Sequence, residues 1–325
     1  MNITFIAVRP GLIGMKLRNL LGVAAGTVGL TAVANRLLTA RAEGFEPPFG
    51  GDRGTYRWRG FDVAYTEAGD PADQDLLLFH GVNAAASSHE WRRVFDALAE
   101  EYHVVAPDLP GFGRSDRPPI EYTAAFYRDF VAAFGADCTE DAVCVATSLT
   151  GSYAALAAEE AGFSRLVLVC PTDETGIDPR LGPLFRAPLV GTALFNALAS
   201  RGSLEWFDER EGYHAPPDPR VVDYQWRTAH QEGARFAPAA FVAGDLDPEQ
   251  SLAAALTDLD IPVTLVWGRE ASRPSLATGR ELADAADARL LVVDRARLLP
   301  HAEHPAEFLA ALDEELPKVA ARATA

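Results

Sequence analysis

The sequence predicts an α/β protein built on a doubly wound, mostly parallel sheet. Short apolar runs at residues 76–79, 165–170 and 263–267 have the composition of strands that are buried on both faces. Helical patterns separate these runs: one starts near Ser87, and others lie at about residues 122–134 and 276–286. Because strands that alternate with helices form parallel sheets, we expect the chemistry at the carboxyl ends of the strands.

The chain divides into three parts: an N-terminal segment, a core with alternating strands and helices, and a segment that interrupts this alternation. Residues 1–54 form a hydrophobic N-terminal segment followed by a linker rich in Pro and Gly. Residues 55–171 and 260–325 carry the strand–helix pattern and form the predicted core. Residues 172–259 contain aromatic residues scattered among prolines and short helical runs, and we predict that they form an inserted helical cap.

The N-terminal segment allows three interpretations. Residues 20–34 are uncharged and largely apolar, but they are shorter than the roughly 20 residues that a spanning helix needs. They could form an anchor or interfacial helix, a cleaved signal peptide, or a helix packed on the domain. We expect a cytoplasmic or membrane-associated protein, with membrane contact through residues 20–40, rather than a secreted one.

The charge balance narrows the range of partners. Among 325 residues there are 46 Asp and Glu against 29 Lys and Arg, which gives a net charge of −17. Such a surface repels phosphate backbones, so we expect no nucleic-acid partner. Lys16 and Lys318 are the only lysines. An acidic excess with almost no lysine is typical of proteins kept soluble in high salt, and an ordinary acidic enzyme is the alternative.

A strand–turn–helix pattern with a serine at its apex is the main candidate for chemistry. The apolar run 142–146 meets the small polar stretch 147–151, and an Ala-rich helical run follows. A nucleophile elbow reads G-x-S-x-G, and here Ala146 and Thr150 stand in the outer positions around Ser148. The alternative is an ordinary turn in which the serine caps the helix.

The order of the motifs resembles the α/β-hydrolase superfamily over about residues 56–316. His80–Gly81 is similar to that family's oxyanion turn, and residues 108–118 are similar to its D-x-P-G-x-G-x-S-x-x-P loop. The resemblance implies an α/β-hydrolase sheet with a cap and makes Ser148 the nucleophile.

Further roles follow from the resemblance alone. The backbone N–H groups of Val82 and Leu149 match the family's oxyanion donors, each worth about 10²–10³ in rate. The aromatic cap suggests a small, apolar-bodied substrate or ligand.

The sequence contains no zinc-type Cys/His spacing, no P-loop and no G-x-G-x-x-G motif. We therefore expect neither a metal nor a cofactor.

Two positions depart from the family pattern. The acid position of W-G-x-x-D holds Ala271, and the histidine position of G-H-x-P-H-x-E-x-P holds Leu298. Glu270 and Asp173 are candidate replacement acids, and His230 in the predicted cap is a candidate replacement base. A carboxylate with an ordinary pKa near 4 is a weak acceptor for a serine proton.

The sequence therefore leaves two functions open. The first is hydrolysis of a small ester-like substrate by Ser148 with a degenerate triad. The second is a non-catalytic hydrolase-fold protein that binds a ligand or a partner. Fold alone does not decide between them.

Overall fold

A computed structural model describes residues 32–42, 44, 46–176 and 179–316. Eight strands form one sheet in the order β1-β2-β4-β3-β5-β6-β7-β8. The strands are β1 Asp52–Trp58, β2 Phe61–Ala68, β3 Asp75–Phe79, β4 His103–Pro107, β5 Val143–Thr147, β6 Arg165–Val169, β7 Val263–Gly268 and β8 Arg289–Val293. The β1–β2 and β2–β4 pairs are antiparallel, and all other neighbours are parallel.

Thirteen helical segments of the described residues surround this sheet, besides short 3₁₀ and π turns. They are α1 (residues 32–42), α2 Phe95–Leu98, α3 Ala124–Cys138, α4 Ser148–Ala161, α5 Gly182–Arg186, α6 Val190–Leu198, α7 Arg201–Phe207, α8 Pro219–Ala229, α9 Phe236–Ala243, α10 Leu252–Thr257, α11 Leu276–Ala286, α12 Pro300–Glu303 and α13 Pro305–Glu315.

The core lies on both faces of the sheet, as a doubly wound fold requires. Along β3, Leu77 and Phe79 belong to the cluster on one face, while Leu76 and Leu78 belong to the cluster on the other. Helices α3 and α4 contribute to the first cluster and α13 to the second. The predicted fold class is confirmed.

Two predicted helices have different limits in the structure. The helix expected at residues 122–134 begins only after Thr123, whose side chain accepts the N–H of Phe126, and it continues to Cys138. The helix expected to start near Ser87 is a 3₁₀ turn, Ser88–Trp91, followed by the short α2. Neither change moves the carboxyl ends of the strands.

Helices α5–α10 lie between β6 and β7, within residues 172–259, which we call the cap segment. Helix α1 packs on this segment, because Ala42 and Leu38 join a cluster that includes Phe195 and Trp226. Residues 20–31 of the N-terminal prediction lie outside the described residues. Within the described ranges, no helix combines the length and the apolar character needed to cross a membrane.

Candidate active site

The serine predicted at the elbow stands where β5 ends and α4 begins. Ser148 is the first residue of α4, and its φ of 53° is in the left-handed region. A non-glycine residue in that region is uncommon, and such strain concentrates at functional sites. The Ser148 hydroxyl is half-buried and makes no hydrogen bond to any described residue. The side chain is therefore lifted out of the helix and left free to react.

The turn after β3 lies directly against this serine. A Cβ added to Gly81 would stand 3.1 Å from Ser148 Cβ and 3.0 Å from Thr147 Oγ1, so only glycine fits without displacement. The Thr150 hydroxyl donates to the His80 carbonyl at 2.8 Å and ties α4 to the turn. The N–H of Val82 donates to no described residue.

The N–H of Leu149 belongs to the first turn of α4, where N–H groups have no partner inside the helix. The helix dipole adds partial positive charge at the same end. The N–H groups of Val82 and Leu149 thus belong to the two segments that meet at Ser148, where the resemblance implies the oxyanion donors.

His80 holds the turn in place and is not free to act as a base. Its Nδ1–H donates to the Gly81 carbonyl at 2.7 Å, and its Nε2 accepts the N–H of Leu109 at 2.9 Å. Burial lowers the pKa of His80, so the ring is neutral. Both nitrogens are occupied by this supporting role.

The glycine-rich loop around residues 108–118 supports the same turn. The buried carboxylate of Asp108 accepts the N–H groups of Ser88 and Arg114, at 2.8 and 3.0 Å. Gly113 has a φ of 51°, and a Cβ there would collide with the Asp108 carboxylate. The motif therefore stabilises the conformation of the loop beside the site.

None of the seven histidines makes a hydrogen bond to Ser148, and all seven lie among the described residues. The candidate base His230 donates from Nδ1 to the Trp226 carbonyl at 2.7 Å and stacks on the Trp226 ring. It is 3% exposed, and burial lowers its pKa. The structure places it inside the cap segment.

Neither candidate acid makes a hydrogen bond to Ser148 in the described part of the chain, although the N–H of Thr172, next to Asp173, donates to the Ser148 carbonyl at 3.3 Å. A carboxylate oxygen of Asp173 accepts the N–H of Leu252 at 2.7 Å, at the start of α10. Glu270 is exposed on the loop after β7, where its own N–H donates to the Ala296 carbonyl. Neither side chain contacts an imidazole in the described part of the chain.

Apolar packing occupies the two positions that depart from the family pattern. Ala271 is 7% exposed and belongs to the main core cluster, and the partly buried Leu298 packs against the same cluster. A polar pair whose two members are both replaced by apolar groups can be lost at little cost in stability. Neither residue brings a polar side chain into this packing, so the fold tolerates both.

Sequence reasoning missed a polar cluster formed by Glu90, Thr147 and His301 beside the elbow. The Thr147 hydroxyl donates to Glu90 Oε1 at 2.6 Å, and the Gly81 N–H donates to Glu90 Oε2 at 3.2 Å. His301 is fully buried, with Nε2 3.9 Å from Glu90 Oε1 and no hydrogen bond to either ring nitrogen. No local pattern reveals the cluster, because its members come from three distant parts of the chain.

Burial favours the neutral form of both titratable groups in this cluster. It raises the pKa of Glu90 to about 7, against the opposing effects of the Thr147 and Gly81 hydrogen bonds and the charge of Arg92. It lowers the pKa of His301 to about 3, and Arg92 lowers it further. We therefore treat the pair as a carboxyl group beside a neutral imidazole rather than as an ion pair.

In the described part of the chain, no group of three or more His, Cys, Asp or Glu side chains is arranged to hold a metal ion. The structure brings together the strained Ser148, the turn at Gly81 and Val82, and the largely buried carboxyl group of Glu90 behind that turn. No imidazole of the described residues makes a hydrogen bond to the serine.

Comparison with known sequences adds to this picture. The family model described as "Alpha/beta hydrolase family" matches residues 76–312. An uncharacterized hydrolase of Bacillus subtilis, YugF, is 26% identical over 69% of this chain and 82% of its own length. A 2-hydroxy-6-oxo-6-(2'-aminophenyl)hexa-2,4-dienoic acid hydrolase of Metapseudomonas resinovorans is 40% identical, but over 24% of this chain and 28% of that enzyme.

Among solved structures, a serine hydrolase involved in carbazole degradation aligns with a TM-score of 0.65 and 21% identity. The alignment covers 82% of this chain and 98% of that one. At this level of identity the likeness concerns the fold, and the residues of the site are judged on their own geometry.

Proposed function

Because this chain belongs to the alpha/beta hydrolase family, we propose that it hydrolyses small ester-like substrates with Ser148 as the nucleophile. The observation that carries the proposal is the strained backbone of Ser148, whose free hydroxyl lies against the Gly81 turn. Strain of this kind costs about 1–3 kcal/mol and persists where the surrounding structure enforces it.

The proposed reaction uses only part of the usual machinery. The substrate's carbonyl oxygen binds between the N–H groups of Val82 and Leu149, and Ser148 attacks the carbonyl carbon. Water takes the serine proton, because no imidazole contacts the hydroxyl. The ester C–O bond then breaks, and the alcohol leaves with a proton from water. A second water molecule hydrolyses the acyl-serine, which releases the carboxylic acid and restores the hydroxyl. Loss of the base from a serine triad costs about 10⁴–10⁶ in rate, so we expect slow turnover that depends on the oxyanion donors.

The proposed substrate is small and has an apolar acyl part. The side chains of Val82 and Leu149 are buried and apolar, and Ala271 and Leu298 replace a polar pair by an apolar one. Aromatic residues of the cap segment add to this character. Apolar walls with a few fixed polar groups are typical of small-molecule sites.

The experiment compares wild type, Ser148→Ala and the matched control Ser164→Ala. Ser164 donates to the Asp141 carbonyl, away from the elbow. We expect slow release of p-nitrophenol from p-nitrophenyl butyrate, and labelling by a fluorophosphonate probe, in wild type and Ser164→Ala. Both signals should disappear in Ser148→Ala. Equal turnover and labelling in all three proteins would sink the proposal.

A second candidate function, binding of an ester-like ligand without turnover, is favoured by Ala271 and Leu298 in the acid and histidine positions. The same proteins separate the two functions. Saturable binding of the butyrate ester, followed by tryptophan fluorescence, without p-nitrophenol release or probe labelling, would favour the second function over the first.

We also propose that residues 20–40 bring the protein to a membrane surface. Val33 and Leu37 of α1 are each 57% exposed, which is unusual for apolar side chains in a packed helix. Co-sedimentation of the full chain with phosphatidylcholine vesicles tests this. Binding should be weakened in Val33→Asp/Leu37→Asp and retained in the control Ile120→Asp, which changes an exposed residue elsewhere. Binding that is equal in all three proteins would contradict the proposal.

A further inference from the structure

A cavity of about 820 Å³ is lined entirely by residues outside the Ser148 elbow and the oxyanion turn. Three segments form it: residues 89–93 after β3, residues 213–221 of the cap segment, and residues 295–304 around α12. None of its lining residues belongs to the elbow or to the turn, and neither Ala271 nor Leu298 lines it.

The lining of this cavity is cationic in a strongly acidic protein. Four guanidinium groups, those of Arg92, Arg93, Arg220 and Arg295, meet two carboxylates. The chain as a whole carries a net charge of −17, so a concentration of positive charge here goes against its composition. His89, which also lines the cavity, adds no positive charge, because burial lowers its pKa to about 3.

The two carboxylates already have partners. Asp218 pairs with Arg220 at 2.7 Å. Glu303 accepts the backbone N–H groups of Arg297 and His214, at 2.7 and 2.5 Å. Burial raises the pKa of Glu303. The acids of the cavity therefore do not neutralise its arginines fully.

Two of the arginines keep donors for a ligand. Arg295 is exposed, and its guanidinium group makes no hydrogen bond or ion pair with any described residue. Arg93 uses Nη1 to bind the carbonyl groups of Ala302 and Glu303 and has no other partner in the described chain. Because a guanidinium group carries five N–H donors, both side chains retain capacity for an oxyanion.

We propose that this cavity binds a small organic molecule that carries a carboxylate or phosphate group. The arginines recognise the oxyanion, since planar guanidinium groups match both chemistries. Tyr213, Pro216 and Pro217 supply surface for an organic body, and a volume of about 820 Å³ exceeds what a bare ion needs. The site does not depend on catalysis at Ser148.

Isothermal titration calorimetry at one fixed ionic strength tests this, with phenyl phosphate, benzoate and the neutral benzyl alcohol as probes. The proteins are wild type, Arg295→Gln, Arg93→Gln and the control Arg280→Gln. Arg280 is exposed on α11 and does not line the cavity, so its substitution makes the same change in net charge.

We expect at least one of the two anions to bind wild type and benzyl alcohol not to bind. Loss of one charged hydrogen-bonding group should raise Kd about tenfold in Arg295→Gln and Arg93→Gln. Arg280→Gln and Ser148→Ala should bind as wild type does. Absence of binding by both anions, equal binding of benzyl alcohol, or the same loss in Arg280→Gln would overturn the proposal.

Discussion

Replacement of Glu90 by Gln should make the protein less stable in acid and more stable in mild base. Glu90 accepts hydrogen bonds from Thr147 and from the Gly81 N–H, yet its burial raises its pKa to about 7. A glutamine keeps the shape but offers a single acceptor oxygen. The variant should therefore lose one hydrogen bond, worth about 1 kcal/mol, at every pH.

The pH dependence follows from the direction of this shift. A carboxyl group whose folded pKa is raised contributes stability that is fully present below its unfolded pKa, near 4.3, and is lost as pH rises through the folded pKa. The interval from about 4.3 to about 7 corresponds to roughly 4 kcal/mol of stability that wild type loses as the pH rises. Glu90→Gln has no carboxyl group to ionise and does not lose this stability. The variant should be about 1 kcal/mol less stable than wild type near pH 4.5 and about 3 kcal/mol more stable near pH 8.

The assay is urea unfolding followed by tryptophan fluorescence from pH 4.5 to 8 at constant salt. The quantity to plot is the free energy of unfolding of the variant minus that of wild type. Glu100→Gln is the matched control, because Glu100 is exposed and its side chain makes no hydrogen bond, so its difference should stay flat. A flat or falling difference for Glu90→Gln would show that Glu90 is ionised in the folded protein and refute the reasoning.

Three further predictions concern the site and the surface. The double variant Ala271→Asp/Leu298→His restores the family's acid and imidazole, so kcat/KM for p-nitrophenyl butyrate should rise by about 10² or more; no gain would mean that these positions do not face Ser148. Gly81→Ala places a Cβ 3.0 Å from Thr147 Oγ1 and 3.1 Å from Ser148 Cβ, so turnover should fall about tenfold or more with the protein still folded by circular dichroism; unchanged kinetics would argue against a role for this turn. Screening of the −17 net charge should raise Tm between 0.1 and 2 M KCl in scanning calorimetry, and a Tm that falls would contradict the high-salt interpretation.

Much of the fold was predictable because its signals are local. Buried strands such as β6 read as continuous apolar runs, and the hairpin of β1 and β2 turns at Arg59 and Gly60, both with positive φ. The limits of α3 were less predictable, because they depend on which residue caps the helix, and Thr123 does so. The periodicity of the sequence does not show which of several neighbouring residues caps the start of the helix.

The candidate site was predictable only where one short motif carries it. The elbow and the turn each occupy a few adjacent residues, so Ser148, Val82 and Leu149 could be assigned from the family pattern. Glu90 and His301 are separated by most of the core sequence, and their proximity depends on how the 3₁₀ turn Ser88–Trp91 packs against α12. The cationic cavity could not be predicted from the sequence for the same reason, because three distant segments form it.

We propose that Ser148 attacks an ester carbonyl without an imidazole partner. The most direct test of this attack is peptide mapping by mass spectrometry after single-turnover reaction with p-nitrophenyl acetate. We predict an acetyl group on Ser148 in wild type and no acetylated peptide from this region in Ser148→Ala. An unmodified Ser148 in wild type, or acetylation only at another residue, would contradict the claim.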